Sequence, residues 1–211
     1  GQSWFGHVSR RVSTHVGRLL RGLFATSELM ALVTDGTEVG NLCLRVPQNP
    51  EDLQLLYRLA LEMGDRWNWS EFNHSAQTFD LSVRDVFDHY MVLDRSSRVF
   101  VGYIAFAGVN LVHGFASVRV YRAQTPETRP DFLVAVRFLL DAMFRVTPVR
   151  NVYAEMTPES LAELGLQAFD STAVLPGKFI IDGRPTDQII CGISRDHWNR
   201  LSQRWERLRA R

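Results

Sequence analysis

The sequence is poor in lysine and cysteine, and it has no long apolar run. Lys178 is the only lysine among 24 basic residues, and we attribute the dominance of arginine to coding bias. Cys43 and Cys191 are too few and too far apart for a disulfide framework or a zinc site, so two reduced thiols are the simplest interpretation. No apolar run is long enough to span a membrane, and residues 1–24 lack a signal-peptide pattern. These absences predict a cytoplasmic protein.

Length and charge limit the number of domains and the kinds of partner. The 211 residues suffice for one compact domain with a sizeable core, with or without extensions. A formal net charge of +1 does not demand a nucleic-acid-binding surface, so we expect no nucleic-acid partner. We expect a helical extension over residues 1–39, a main domain over 40–198 and a basic helix over 199–211.

The first helix is expected near residues 3–24, where apolar residues recur at helical spacing and arginines cover the other faces. Its apolar side either packs on the domain or contacts a second subunit, which would make a homodimer. A membrane surface or an acidic partner is the alternative.

Strand and helix patterns follow one another in an order that predicts a mixed α/β domain. The runs "YMVLD", "VFVGYIAFAG" and "GFASVRVYR" predict an antiparallel meander. The run "RPDFLVAVRFLLDAMFRV" predicts a helix with Pro130 in its first turn, and the strand "NVYAEMT" after it requires a parallel, right-handed crossover. A final hairpin turns at Asp182 and Gly183. Upstream, we expect a strand in "NLCLRVP", a helix from Pro50 and a short helix in "SVRDVFDHY", residues 82–90.

These segments, in this order, resemble the GNAT superfamily of N-acetyltransferases over roughly residues 40–198. Four patterns carry the resemblance: "VFVGYIAF" for the third strand, "FLLDAMF" for the central helix, "NVYAEMT" for the fifth strand and "IDGRPTDQIICGISRDHW" for the last hairpin. The branch that acetylates ribosomal-protein N-termini and small amines is the most similar. The resemblance implies a mixed, mostly antiparallel sheet with a splayed parallel pair of central strands, flanked by helices.

The resemblance also implies a cofactor, acetyl-CoA or another acyl-CoA. In the family the fourth and fifth strands splay apart and pantetheine lies between them, here beside Ser117, Val118 and Val120. An amine, from a small molecule or a peptide, attacks the thioester directly. A carboxylate or a water chain takes the proton of the amine, and a tyrosine or a similar acid protonates the leaving thiolate.

Glu155, Tyr121 and Tyr103 are the candidate catalytic residues under this resemblance. Glu155 ends the fifth strand, where it can accept the proton of an amine; a surface carboxylate at a strand end is the alternative. Tyr121 and Tyr103 lie on central strands near the expected gap, as a thiolate acid or a wall of the substrate site. Packing in the core is the alternative for both tyrosines.

The loop that should hold the coenzyme A pyrophosphate has no glycine, since none occurs between Gly114 and Gly165. In the family, a glycine-rich loop presents backbone N–H groups to the phosphates at a helix N-terminus. Here "ETRPDF", residues 127–132, takes its place. Pro130 removes one N–H donor, and Phe132 stands where the last small residue is expected.

Arg122 and Arg129 are the candidate phosphate ligands that compensate for the missing glycines, because guanidinium groups suit phosphate. Solvent-exposed loop arginines are the alternative. The family also places an Asn after the fifth strand and a Tyr on the helix that follows. Neither occurs in "TPESLAELGLQAF".

Trp67, Trp69, Phe72 and His74 are the candidate acceptor-binding residues. They fall where the family builds its substrate lid, and aromatic side chains clustered in a polar loop are typical of a binding site. Alternatively, the two tryptophans cover the core.

We expect no metal site. Asp85 and His89 are four residues apart in the predicted short helix, but two ligands without a third make a weak site.

Two functions follow from these observations. The first is an acyltransferase that moves an acyl group from acyl-CoA, or from the pantetheine of an acyl carrier protein, to an amine. The arginine-rich terminal helices would then meet an acidic carrier surface. The second is a repurposed fold that no longer binds acyl-CoA and acts in binding or assembly, or uses the cleft for different chemistry. The two differ in whether the fourth and fifth strands splay over an open tunnel or side chains such as Phe132 fill it.

Overall fold

The structure is a computed structural model, and it describes residues 32–63, 79, 86–123, 129–164, 169–181 and 183–209. The chain divides into two compact units, Gly1–Ala31 and Leu32–Arg211. Every described residue belongs to the second unit.

One eight-stranded sheet forms the centre of this unit, in the order β1-β2-β3-β4-β5-β6-β8-β7. Its strands are β1 (Thr37–Val39), β2 (Leu42–Arg45), β3 (Asp88–Asp94), β4 (Phe100–Asn110), β5 (Phe115–Arg122), β6 (Asn151–Met156), β7 (Ser171–Ile181) and β8 (Arg184–Ser194). The described part of the chain has four helices, α1 (Pro50–Met63), α2 (Arg129–Val146), α3 (Pro158–Leu164) and α4 (Arg195–Arg209).

The predicted fold class is confirmed. Strands β3, β4 and β5 form the antiparallel meander, and β5 pairs with β6 in parallel after the crossover through α2. The remaining pairs in the sheet are antiparallel, including the final β7–β8 hairpin.

The prediction of a short helix over residues 82–90 is wrong at the C-terminal end, because Asp88–Tyr90 form the start of strand β3. Asp88 is buried there because its carboxylate accepts hydrogen bonds from the Leu32 backbone N–H and the Tyr90 hydroxyl, both at 2.6 Å. Burial raises the pKa of Asp88 above its ordinary value, against these hydrogen bonds. Asp85, which the sequence analysis paired with His89 as a possible metal ligand, lies outside the described residues.

Buried side chains cover both sides of the sheet. Helix α2 packs on one side, with Tyr90, Ile104 and Val118 beneath it. Helix α1 packs on the other, and we call this side the α1 face. Its buried cluster joins Leu56 and Ala60 of α1 to the strands through residues Met91, Leu93, Tyr103, Ala105 and Tyr121. Side chains alternate between the faces along each strand, as the pleat requires.

The first turn of α2 is anchored in the core by Phe132, which is fully buried. Its ring lies over Gly102 of β4, which pairs in register with Arg122 at the end of β5. The residue that sequence comparison aligned with a small residue of a phosphate loop is therefore a core side chain. Its burial positions the start of α2 beside the end of β5.

Candidate active site

The pairing of β5 with β6 ends while both strands continue. The parallel register runs from Phe115 opposite Asn151 to Val118 opposite Ala154. Strand β5 continues to Arg122, and β6 continues to Met156 against β8. The two strands therefore diverge after Val118 and Ala154. Beyond that point, the β5 edge that faced β6 has no strand partner among the described residues.

A row of polar side chains lies on the α1 face, next to the point where β5 and β6 diverge. On β5, Val118 and Val120 turn toward α2, so Arg119 and Tyr121 turn toward the α1 face. We define the polar row by its members, which are His89, Tyr103, Arg119, Tyr121, Glu155 and Gln188. Their strands are β3, β4, β5, β6 and β8.

One end of the polar row is a hydrogen-bonded aromatic stack. The His89 ring nitrogen Nδ1 lies 2.9 Å from the Tyr103 hydroxyl. The Tyr103 and Tyr121 rings stack with centroids 6.3 Å apart and an interplanar angle of 20°. Burial raises the pKa of Tyr103 well above its ordinary value. Tyr103 therefore stays protonated, and its hydroxyl can donate a hydrogen bond to Nδ1 of the neutral His89 imidazole.

The other end of the polar row carries opposite charges. Glu155 is exposed at the end of β6, and its carboxylate accepts a hydrogen bond of 2.7 Å from the buried Gln188 amide. Arg119 is half-buried. Burial lowers the pKa of its guanidinium, and the nearby Tyr121, Glu155 and Tyr103 side chains act in the opposite direction. The row therefore places a guanidinium and a carboxylate on the two strands that part.

We expect acid to destabilise the wild-type protein more than it destabilises the His89→Asn variant. Burial lowers the pKa of His89 from 6.5 to about 4, so the unfolded chain binds a proton before the folded protein does. The stability due to neutral His89 is complete above pH 6.5 and is lost as pH falls toward about 4. The loss is about 3 kcal/mol at most.

Denaturant unfolding over this pH range measures the effect. Asparagine places an amide oxygen near the position of Nδ1 and does not titrate, so His89→Asn should show a shallower fall in the free energy of unfolding. The contribution of Asp88 is common to both proteins and cancels in the difference. Parallel pH profiles would contradict the assignment.

The predicted cofactor-binding residues on β5 lie on both sides of the point where the strands part. Ser117 and Val118 lie in the part of β5 that pairs with β6, whereas Val120 and Arg122 lie in the continuing part. Arg129 begins α2. The part of β5 that is not paired with β6 therefore begins at Arg119.

Arg122 is the predicted phosphate ligand that the structure describes most fully. It pairs in register with Gly102, which lies under the ring of Phe132, so Arg122 stands next to the first turn of α2. Its Nη1 atom is buried and has no hydrogen-bond partner in the described part of the chain. A buried guanidinium nitrogen in this state favours an anionic ligand, because an unmet donor is costly.

The four predicted acceptor-binding residues, Trp67, Trp69, Phe72 and His74, lie outside the described residues. Within the described ranges, no group of three or more His, Cys, Asp or Glu side chains could hold a metal ion. None of the helices described is long and apolar enough to cross a membrane.

Three members of the polar row, Arg119, Gln188 and His89, were not predicted as site residues. A signal for Arg119 exists in "SVRVYR", where every second residue of a central strand is polar. Such alternation in a strand covered on both faces indicates a polar site on one of them. The position of Gln188 depends on its pairing with β6, for which we find no local signal.

Comparison with solved structures identifies the fold. A mutant of spermidine N-acetyltransferase SpeG from Vibrio cholerae superposes with a TM-score of 0.64 at 19% identity, over 77% of this chain and 98% of that chain. A GCN5-related N-acetyltransferase from Brucella melitensis has a TM-score of 0.60 at 15% identity, over 82% and 85%. RimL, a ribosomal-protein alpha-N-acetyltransferase in complex with coenzyme A, has a TM-score of 0.61 at 12% identity, over 76% and 98%.

At the level of sequence, no family model and no curated protein matches the chain. The likeness to the solved structures is one of fold, at sequence identities of 12–19%. The chain has the fold of the GNAT N-acetyltransferases.

Proposed function

We propose that this protein transfers an acyl group from a pantetheine thioester to an amine. The observation that carries the proposal is the divergence of β5 from β6 after Val118 and Ala154. An uncovered strand edge presents a row of backbone N–H and C=O groups. The amides of pantetheine can pair with such an edge as an added strand would. The solved structures of similar fold include SpeG with coenzyme A and spermine, and RimL with coenzyme A.

The pantetheine arm of acyl-CoA fits the described residues better than its pyrophosphate does. The backbone of Arg119–Tyr121 suits the pantetheine arm. At the start of α2, where the pyrophosphate would lie, Pro130 lacks an N–H group and the loop before it has no glycine. Arg122, with its buried and unpaired Nη1, supplies positive charge at this position. We propose that side-chain cations, Arg122 and Arg129, replace the backbone cradle.

We assign the two proton transfers of the reaction to Glu155 and Tyr121. A bound thioester supplies an activated carbonyl carbon. Glu155 is exposed at the end of β6 and takes the proton of the amine as the carbon–nitrogen bond forms. Tyr121 gives its proton to the sulfur as the carbon–sulfur bond breaks. Tyr103 is fully buried, and we assign it to holding the Tyr121 ring.

An acyl group on a carrier protein is the donor that best tolerates the altered phosphate loop. A carrier makes its own contacts to the phosphate of its phosphopantetheine, so the enzyme needs fewer. Helix α4 adds the exposed Arg200 and Arg204 to the surface of the domain, and these cations suit an acidic carrier.

Titration calorimetry with acetyl-CoA and with acetyl-pantetheine tests the proposal. We expect both to bind with a Kd below about 1 mM, and Arg122→Met to weaken acetyl-CoA alone, since acetyl-pantetheine has no phosphate. Binding of acetyl-pantetheine without acetyl-CoA would assign the donor to a carrier protein. No binding of either ligand would refute acyl transfer.

A repurposed fold is the second candidate, and Phe132 favours it. Its ring is fully buried at the first turn of α2, where the family has a small residue beside the phosphates. In that case, the cleft would serve binding, assembly or different chemistry. The same calorimetry separates the two functions.

A further inference from the structure

We propose that the amine acceptor is a monoamine with an apolar body, and that this body lies on the sheet face beside Glu155. This inference rests on the proposed function, because it names the acceptor class of the same site. The feature that carries it is a group of four neighbouring side chains, which we call the apolar patch. Its members are Tyr153 on β6, Ile190 on β8, and Ala173 and Leu175 on β7.

The register of the sheet places the apolar patch next to Glu155. Glu155 pairs with Ile190 of β8, and Ile190 pairs in turn with Ala173 of β7. Directly paired residues lie on the same face of a sheet, so these three side chains form one row across it. Tyr153 precedes Glu155 by two residues and turns to the same face. Leu175 follows Ala173 by two residues and does so too.

The apolar patch lies outside the core of the domain. In the described part of the chain, the buried cluster beneath α1 takes its strand residues from β3, β4 and β5, and none from β6, β8 or β7. On the other face of β6, Val152 and Ala154 are fully buried. Tyr153, in contrast, is 37% exposed, Leu175 is 40% exposed, and Ala173 is exposed as well. A ligand can therefore reach the patch.

Contact with an apolar ligand explains why this open face is not polar. The solvated face of an antiparallel pair of strands normally carries polar side chains. A contiguous apolar patch with polar residues at its border is typical of a binding site. Here Glu155 and Gln188 form part of the border, and Gln188 pairs in register with Leu175. The patch therefore offers a surface to the apolar part of a ligand whose polar group lies at Glu155.

The charges on this face fit one ammonium group. Among the described residues that β6, β8 and β7 turn to this face, Glu155 is the only carboxylate. A monoamine places its ammonium at Glu155 and its body over the patch. A polyamine would place a second ammonium on apolar side chains, where a charge loses hydration and gains no partner. The face therefore discriminates against polyamines.

The direction and reach of the apolar patch suit an acceptor. Strand β8 lies on one side of β6 and β5 on the other, so the patch extends from Glu155 away from the strand assigned to pantetheine. Paired strands lie about 5 Å apart, so Ala173, two strands from Glu155, is about 10 Å away. The donor and the body of a short-chain amine can therefore occupy opposite sides of Glu155.

Two amines with the same carbon chain test the inference, with acetyl-pantetheine as donor. Hexylamine ends in a methyl group, and hexamethylenediamine ends in a second ammonium. We expect kcat/KM for hexylamine to exceed that for the diamine by about 10-fold or more, after correction for the two equivalent amines of the diamine. Equal values in the wild type would overturn the inference.

A new carboxylate in the apolar patch should shift this preference toward the diamine. Leu175→Glu provides a partner for the second ammonium, so kcat/KM should rise by about 3-fold or more for the diamine and fall for hexylamine. Val174→Glu is the matched control. Val174 is 53% exposed on the same strand, but it pairs with Ile189 and turns to the opposite face. It should change neither value, and equal effects of the two variants would overturn the inference.

Titration of both amines without a donor separates failure of this inference from failure of the proposed function. Tighter binding of hexylamine, reversed in Leu175→Glu, with no acylation would support the patch and refute acyl transfer. Acylation without a preference for hexylamine would support acyl transfer and refute the patch as an acceptor site. If Leu175→Glu lowers the molar mass in solution and changes neither rate, the patch is an interface between two copies of this chain and the inference fails. Absence of both transfer and selective binding would refute both.

Discussion

Replacement of Gly102 by alanine is expected to lower the free energy of unfolding by about 3 kcal/mol. A Cβ atom at this position would stand 2.5 Å from Cε2 of the Phe132 ring and would overlap the backbone carbonyl oxygen of Tyr121. A backbone atom within a paired strand cannot move aside cheaply. The strain would act where β5 ends and α2 begins, so the loss should extend to ligand binding at Arg122.

Denaturant unfolding measures this effect, and Gly36→Ala is its control. Gly36 has a positive φ of 79° and open space around it, so alanine there meets only the backbone penalty. That penalty is about 1 kcal/mol. If Gly102→Ala costs no more than Gly36→Ala, the packing of Phe132 against β4 is not as the structure has it.

Replacement of Glu155 by glutamine is expected to slow acyl transfer by about 100-fold or more, because the amine loses the base that takes its proton. The change is nearly isosteric, and the glutamine oxygen can still accept the hydrogen bond from Gln188. Glu155 is exposed, so the free energy of unfolding should stay within about 0.5 kcal/mol of the wild type.

Single-turnover rates with a saturating acyl donor measure the chemical step directly. Glu159→Gln is the matched control, since this carboxylate is exposed on α3 and lies outside the polar row. An unchanged rate in Glu155→Gln would remove Glu155 as the base. An equal loss in both variants would point to a general effect of charge.

The elements that local sequence determines were predicted well. Helix α2 has the bounds of the run "RPDFLVAVRFLLDAMFRV", because its apolar residues recur at helical spacing and Pro130 suits its first turn. The meander was predictable because its strands alternate and its links are short.

The error at Asp88–Tyr90 has a physical cause. A strand with an acidic residue at its start is recognisable only when the partners of that residue are known, and the backbone N–H of Leu32 is 56 residues away. The polar residues in this segment therefore obscured the strand pattern, and the segment was predicted as a helix.

The candidate site was only partly predictable from the sequence. Glu155 and Tyr121 could be assigned from the resemblance, but their neighbours depend on pairings between distant segments. Gln188 reaches Glu155 across 33 residues of sequence, and Arg119 and Glu155 lie on neighbouring strands only because β5 pairs with β6. The burial of Phe132 in the core could not be predicted, because alignment to a loop does not show which way a side chain turns.

The proposed acyl transfer requires pantetheine to pair with the continuing edge of β5, and hydrogen exchange tests this pairing most directly. The backbone amides of β5 are followed residue by residue while acetyl-pantetheine is added. We predict slower exchange at amides within Arg119–Tyr121, and no change in Phe115–Ser117, where β6 already covers the strand. Unchanged exchange within Arg119–Tyr121 at a concentration of ligand that saturates binding would contradict it.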